Sequence, residues 1–174
     1  MIRNIIVSIG HWNRGIGYDN KLLWHIPPDM KRFKELTIGK GKRKNAIIMG
    51  KNTLLSLPNK HLPKRDNLVL SNTLTDDNEN YKVFNHEYDL EEYISKKSYD
   101  EIWVIGGEQI YKSAIESNKI NYVYVTNVIG AKLSDTYFPL LPKNYEEIER
   151  SKDLIYKDVK YFYQIYKNKN KYYS

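Results

Sequence analysis

The stretch Glu101-Ile102-Trp103-Val104-Ile105-Gly106-Gly107-Glu108-Gln109-Ile110-Tyr111 decides the fold class. After Glu101, Ile102 to Ile105 form a continuous apolar, largely β-branched run. That pattern belongs to a strand covered on both faces rather than to one that alternates between core and water. The run stops at two glycines, and a helical pattern opens at Glu108 and reaches about Ser117. A strand that feeds a helix through a short turn is half of a β-α-β unit.

The unit recurs on either side. Upstream, Ile2-Arg3-Asn4-Ile5-Ile6-Val7-Ser8-Ile9 reads as a buried first strand, and Pro28-Asp29-Met30 opens a helix to about Ile38, with Pro suited to the first turn. Ala46-Ile47-Ile48-Met49 is a second strand, followed by Gly50 and a short helix over Lys51 to Leu57. Asn67-Leu68-Val69-Leu70-Ser71 is a third strand, and Tyr81 to Phe84 a shorter fourth. Asp89 begins a helix to about Lys96, where Glu92 completes an Asp-x-x-Glu capping box. Downstream, Ile120 to Val128 alternates as a sixth strand. Tyr145 to Ser151 and Tyr156 to Tyr166 read as an antiparallel pair joined near Lys152-Asp153. The expected class is α/β, a mainly parallel sheet with an antiparallel C-terminal strand. No repeat or linker divides the 174 residues, so one domain is expected over 1–174, with Lys167 to Ser174 (from about 168) a frayed basic tail.

Composition narrows the chemistry. There is no Cys, which excludes disulfides, Cys-based zinc, iron–sulfur centres and a thiol nucleophile. No apolar run nears the roughly 18 residues that span a bilayer, and Ile5 to Ile9 is too short for a secretory core, so a cytosolic protein off the membrane is expected. The net charge of +7 favours anionic partners without choosing among them. Lys31 to Lys44 carries seven basic residues against Glu35, and its Lys40–Lys44 portion precedes a strand, which puts that loop at the sheet end away from ligands. The 16 tyrosines supply part of the core.

Ligands of such sheets lie beyond the carboxyl ends of the strands. That rule selects the Gly10–Trp24 segment, Gly50-Lys51-Asn52-Thr53, Ser71-Asn72, Gly106-Gly107 and Thr126, and predicts that they converge. Gly106-Gly107 at a helix start offers free amides and a bare backbone to a phosphate, and equally serves as a tight turn. Gly50-Lys51 repeats the device, and two such turns suit a dinucleotide, although neither a Walker pattern nor Gly-x-Gly-x-x-Gly is present. Asp29 stands at a helix start, where the dipole favours a carboxylate. With Met30 and Phe33 beside it, it borders an apolar cavity or else is a solvated helix start. Thr126 is the hydroxyl that could orient it.

Ile16-Gly17, Leu23-Trp24, Pro28-Asp29, Ile48 to Thr53, Leu62-Pro63-Lys64-Arg65-Asp66-Asn67, Ile105-Gly106-Gly107-x-x-x-Tyr111 and Asp135-Thr136-Tyr137-Phe138-Pro139 occur in one order over essentially the whole chain. Together they resemble the chromosomal-type dihydrofolate reductase family. The resemblance implies an eight-stranded, mostly parallel sheet flanked by four helices, and hydride transfer from NADPH to C6 of 7,8-dihydrofolate with protonation at N5, yielding tetrahydrofolate for one-carbon metabolism. It implies Asp29 as the carboxylate gripping the pterin, with Thr126 supporting it and Trp24 holding an ordered water. Val7, Met30, Phe33, Leu57, Leu62 and Ile105 would wall the substrate, and Arg65 would pair with the α-carboxylate of its glutamate tail. Ile9, Ile16 and Gly17 would flank the nicotinamide. The remaining dinucleotide path would run over Gly50, Lys51, Asn52, Thr53, Ser71, Asn72, Gly106, Gly107, Gln109, Ile110 and Tyr111. Asp135 would anchor a loop against a mobile Gly10–Trp24 lid. The resemblance further implies a monomer with diaminopyrimidine or pteridine antifolates as inhibitors. Lys51 stands where the family carries Arg, a point charge in place of a fork, so the resemblance implies NADPH and leaves the strength of the NADP-over-NAD preference open.

Two other functions fit less of the sequence. A same-fold reductase of a pyrimidine-ribityl compound would not need the Pro28-Asp29 helix and Arg65 together. A basic, tyrosine-rich nucleic-acid binder would need exposed rings, whereas Tyr156 to Tyr166 alternates and turns about half of them inward.

Overall fold

The computed structural model describes residues 1–171. Along the chain run β1 (Ile2–Gly10), β2 (Gly15–Tyr18), β3 (Lys21–Leu22), α1 (Pro27–Ile38), β4 (Ala46–Gly50) and α2 (Lys51–Ser56). A 3-10 turn (Pro58–Lys60), β5 (Asp66–Leu70), β6 (Lys82–Phe84), α3 (Glu87–Ser95), β7 (Glu101–Gly106) and α4 (Glu108–Glu116) follow. The remainder is β8 (Tyr122–Val128), β9 (Thr136–Tyr137), β10 (Tyr145–Arg150), β11 (Leu154–Tyr156) and β12 (Val159–Asn168).

The main sheet has the order β10-β12-β8-β1-β7-β4-β5-β6, with β11 added to β12. The pairings from β8 through β6 are parallel, and β12 is antiparallel to β8, β10 and β11. The expected eight-stranded sheet with four helices is therefore present, and β11 is a short ninth strand. The chain leaves β1 in one direction, to β4, and leaves β7 in the other, to β8. Such a reversal opens a crevice at the carboxyl ends of β1 and β7, where an open α/β sheet takes its ligand.

Strand alternation divides the core between two faces. Ile5, Val7, Ile48, Leu68, Ile102 and Val104 pack with Leu90 and Ile94 of α3 and with Tyr111 and Ile115 of α4. Ile6, Ile47, Met49, Val69 and Trp103 pack on the other face with Phe33 and Leu36 of α1 and Leu54 of α2. Both faces are covered, which is why these strands read as unbroken apolar runs.

Several local expectations fail. The capping box at Asp89 does not form: α3 starts at Glu87, its N-cap is His86 without a side-chain bond, and Asp89 lies within the first turn. Glu92 instead accepts a hydrogen bond from Lys96 Nζ at 2.6 Å, so the acidic spacing serves an exposed i,i+4 pair. The terminal turn falls at Lys157-Asp158, not Lys152-Asp153. There β11 meets β12 through the register Tyr156↔Val159, with Lys157 at φ 52°. β10 and β11 form one interrupted edge along β12, so Tyr156 ends a strand that precedes the turn.

The last strand runs further than expected, to Asn168. Asn168 is fully buried and donates to Asn118 Oδ1 at 2.9 Å and to Ile120 O at 3.0 Å, and the Lys169 amide donates to Asn144 O. Lys167 and Asn168 thus belong to β12 and not to a tail, and Tyr172 to Ser174 lie outside the described residues. The basic loop does sit away from the crevice. The Arg43 amide donates to Asp100 Oδ2 at 2.8 Å, and Lys44 pairs with Asp66 at 2.6 Å, at the starts of β7 and β5.

Candidate active site

Pro27 and Pro28 fix the φ angles of the first turn of α1 and set Asp29 as its third residue, where the helix dipole favours a carboxylate. The Thr126 hydroxyl, buried on β8, donates to Asp29 Oδ1 at 2.7 Å. Burial pushes the half-buried Asp29 carboxyl above its usual range, against the opposing pull of the Thr126 hydrogen bond and the Arg32 charge. An acid in that position has acceptor capacity to spare beside Phe33, which is half-buried on the α1 face with Leu57, Leu62 and Ile105. Met30 is 48% exposed and outside that group. Val7 lies on the opposite face with Ile9 and Ile16, so the structure does not join it to the expected substrate wall.

The two glycine turns are neighbours. A Cβ on Gly50 would lie 3.1 Å from Ile110 Cγ1, and one on Gly106 would lie 3.4 Å from Thr53 Oγ1 and 3.3 Å from Tyr111 Oη. Gly107 faces the same Thr53 hydroxyl. These bare backbones and the hydroxyl between them form a cradle that side chains would fill, which fits a dinucleotide's phosphates. Tyr111 Oη donates to the Ile6 carbonyl at 2.8 Å and ties α4 to β1, and burial keeps the phenol protonated. Gly106 has φ 127°, a region that other residues enter only under strain. Gly106→Ala is expected to destabilise the fold by about 1–3 kcal/mol, read as a lowered Tm in thermal unfolding, and an unchanged Tm contradicts it.

At the rim of this cradle, Lys51 Nζ donates to Thr73 Oγ1 at 3.3 Å. Ser71 spends its hydroxyl on the loop after β5, accepting the Thr73 and Leu74 amides at 3.3 and 3.1 Å. Asn52, Asn72 and Gln109 are exposed, and Ile110 is half-buried against the core.

The segment expected as a lid carries its own small sheet, β3-β2-β9. The Asp135 amide donates to Gly17 O at 3.0 Å, and Asp135 Oδ2 accepts from the Asp19 amide at 2.9 Å. Trp24 packs on Gly10 and Gly130 beneath Lys132, whose Nζ donates to Leu23 O at 2.8 Å.

Arg65 is 5% exposed, and its Nε donates to Pro63 O at 3.0 Å while Nη1 donates to Thr37 Oγ1 at 2.8 Å. Among the described residues it has no ion pair. A buried cation supplied only with neutral acceptors is suited to an incoming carboxylate. Thr37 was not visible as a site residue from the sequence, although it sits one turn after Phe33. Arg32 was missed as well, and its spacing of three from Asp29 was the available signal.

Comparison with known proteins identifies the family of the chain. The profile of the dihydrofolate reductase family matches residues 3–169. The chain is 30% identical over 158 residues to the dihydrofolate reductase of Drosophila melanogaster, covering 87% of this chain and 86% of that protein. It is 35% identical over 143 residues to the dihydrofolate reductase of Haemophilus influenzae, covering 79% and 78%. It is also 32% identical over 173 residues to the bifunctional dihydrofolate reductase-thymidylate synthase of Daucus carota, covering 92% of this chain and 33% of that longer one.

Proposed function

Because the chain belongs to the dihydrofolate reductase family and reduces 7,8-dihydrofolate to 5,6,7,8-tetrahydrofolate, we propose that Asp29 is the residue that grips the substrate and that NADPH is the reductant. The observation that carries this reading is the Thr126–Asp29 hydrogen bond at the start of the helix whose Phe33 packs with Leu57, Leu62 and Ile105.

The ionised Asp29 carboxylate accepts from the pterin's 2-amino group and ring N3–H, two parallel charge-assisted bonds that fix the ring in one orientation. Thr126 occupies one side of Oδ1 and so holds the carboxylate plane. Phe33, Leu57 and Leu62 flank the substrate's flat rings and exclude water from them. Arg65, pre-set by Thr37, takes the α-carboxylate of the glutamate tail. NADPH, when bound, supplies the hydride that C6 accepts. Gly106, Gly107, Gly50 and Thr53 would hold its phosphates, while Ile9 and Ile16 would border the nicotinamide. The proton for N5 comes from a water held near Trp24, since Asp29 is committed to the far edge of the ring.

Loss of NADPH absorbance on adding dihydrofolate tests the reaction, and inhibition by a diaminopyrimidine separates it from a same-fold reductase of another heterocycle. The 2′-phosphate is assigned to Lys51. Lys51→Gln is expected to raise KM for NADPH about three- to tenfold while leaving KM for NADH unchanged. Equal effects on both cofactors would remove Lys51 from that role.

A further inference from the structure

Thr126 and Tyr163 face each other across β8 and β12. One turn of α1 lies against this cross-strand pair: Asp29 meets Thr126, and Arg32, three residues on, stacks its guanidinium 3.9 Å from the Tyr163 ring centroid. Tyr124 lies 5.9 Å from the same guanidinium. Among the described residues no carboxylate is within ion-pair distance of Arg32. Arg32 is therefore fixed by aromatic faces instead of being neutralised by a salt bridge, and its charge stays available to its neighbour.

We propose that Arg32 is a positioning residue for the substrate-binding carboxylate, a counter-charge pinned on Tyr163 that sets how tightly Asp29 holds a proton. The functional part of this rests on Asp29 being the residue that grips the substrate. Among the described residues, Arg32 is the one cation whose charge acts on Asp29. Tyr163 is kept neutral by burial, with Asp29 and Tyr161 adding to that effect. Tyr124 is likewise held protonated by burial and by Glu101 and Glu149, which reach it from β7 and β10. Thr126 contributes a hydrogen bond and no charge. Lys31 and Glu35 pair with each other on the exposed side of α1. Burial works against the carboxylate, and the Arg32 charge offsets part of that penalty.

Titration of the Asp29 carboxyl by 13C NMR in the ligand-free protein tests this, with Asp29→Asn identifying the resonance. Arg32→Gln is expected to make Asp29 bind its proton about three- to tenfold more tightly, and Arg32→Lys to stay near wild type. The acid limb of diaminopyrimidine affinity, where Asp29 protonates, moves toward neutral pH with it. If Arg32→Gln does not fold, Arg32→Met keeps the aliphatic stem that packs on the sheet and serves in its place. A titration that superimposes on wild type overturns the proposal and leaves Arg32 a packing residue. A carboxyl that shifts while antifolate affinity keeps its pH profile leaves the counter-charge standing and removes Asp29 from the ligand.

Discussion

Asp29→Asn is expected to lower kcat/KM for dihydrofolate by about 10²- to 10⁴-fold while the protein unfolds at the same temperature or higher. The substitution is nearly isosteric, and the amide oxygen can still accept the Thr126 hydroxyl now 2.7 Å from Oδ1. What changes is the other half of the group. A carboxylate presents acceptors only, whereas an amide turns an N–H₂ toward the donors of the pterin edge. The ring loses one of two parallel bonds and meets a repulsive contact where the second was. The fold loses nothing comparable, because burial already disfavours the charge at this position. Steady-state kinetics beside thermal unfolding reads both quantities. Turnover within about twofold of wild type, with the fold intact, removes Asp29 from the mechanism.

Arg65→Met is expected to raise KM for dihydrofolate by about 30-fold or more, the loss of about 2 kcal/mol or more from a buried charge pair, with kcat little changed. Arg65 is held by Pro63 O and Thr37 Oγ1, neither of which neutralises it. Burial pulls its proton affinity below the usual value, and no carboxylate among the described residues opposes that. Met fills much of the volume and carries no charge, so the ligand-free fold should be as stable or more so. A pterin substrate without the glutamate tail provides the internal control. It should be turned over equally by wild type and Arg65→Met, since the lost contact lies on the tail. An equal loss for both substrates would place the effect in the fold.

Much of this architecture was legible because it rests on runs of side chains long enough to carry a period. β4, β5 and β7 are buried on both faces and announce themselves within five or six residues. Asp29 and Thr126 are separated by 97 positions. Each was visible alone, Asp29 as an acid at a helix start and Thr126 as a strand hydroxyl selected by the rule that ligands sit beyond strand ends. The sheet of β2, β3 and β9 was not legible. Its strands have two to four residues, and Gly15 and Gly17 pair with residues near 136, so no local period exists.

Charge patterns were the least reliable guide. Asp-x-x-Glu at 89–92 describes a cap and a solvated face equally well, and only the backbone of Glu87 decides between them. The Lys- and Tyr-rich C-terminus looked like a tail, yet the small polar side chain of Asn168 holds the end of β12 in the core. Arg32 was submerged in a basic stretch whose other members are mostly exposed, and its distinction comes from Tyr163, far along the chain.

A crystal structure of the protein with NADPH and a diaminopyrimidine bound together tests the central claim most directly. The inhibitor's amino group and ring nitrogen are predicted to lie on the two Asp29 oxygens with Thr126 still on Oδ1, and the dinucleotide phosphates to rest on Gly106-Gly107 and Thr53. An inhibitor seated elsewhere, with Asp29 facing water, would contradict it.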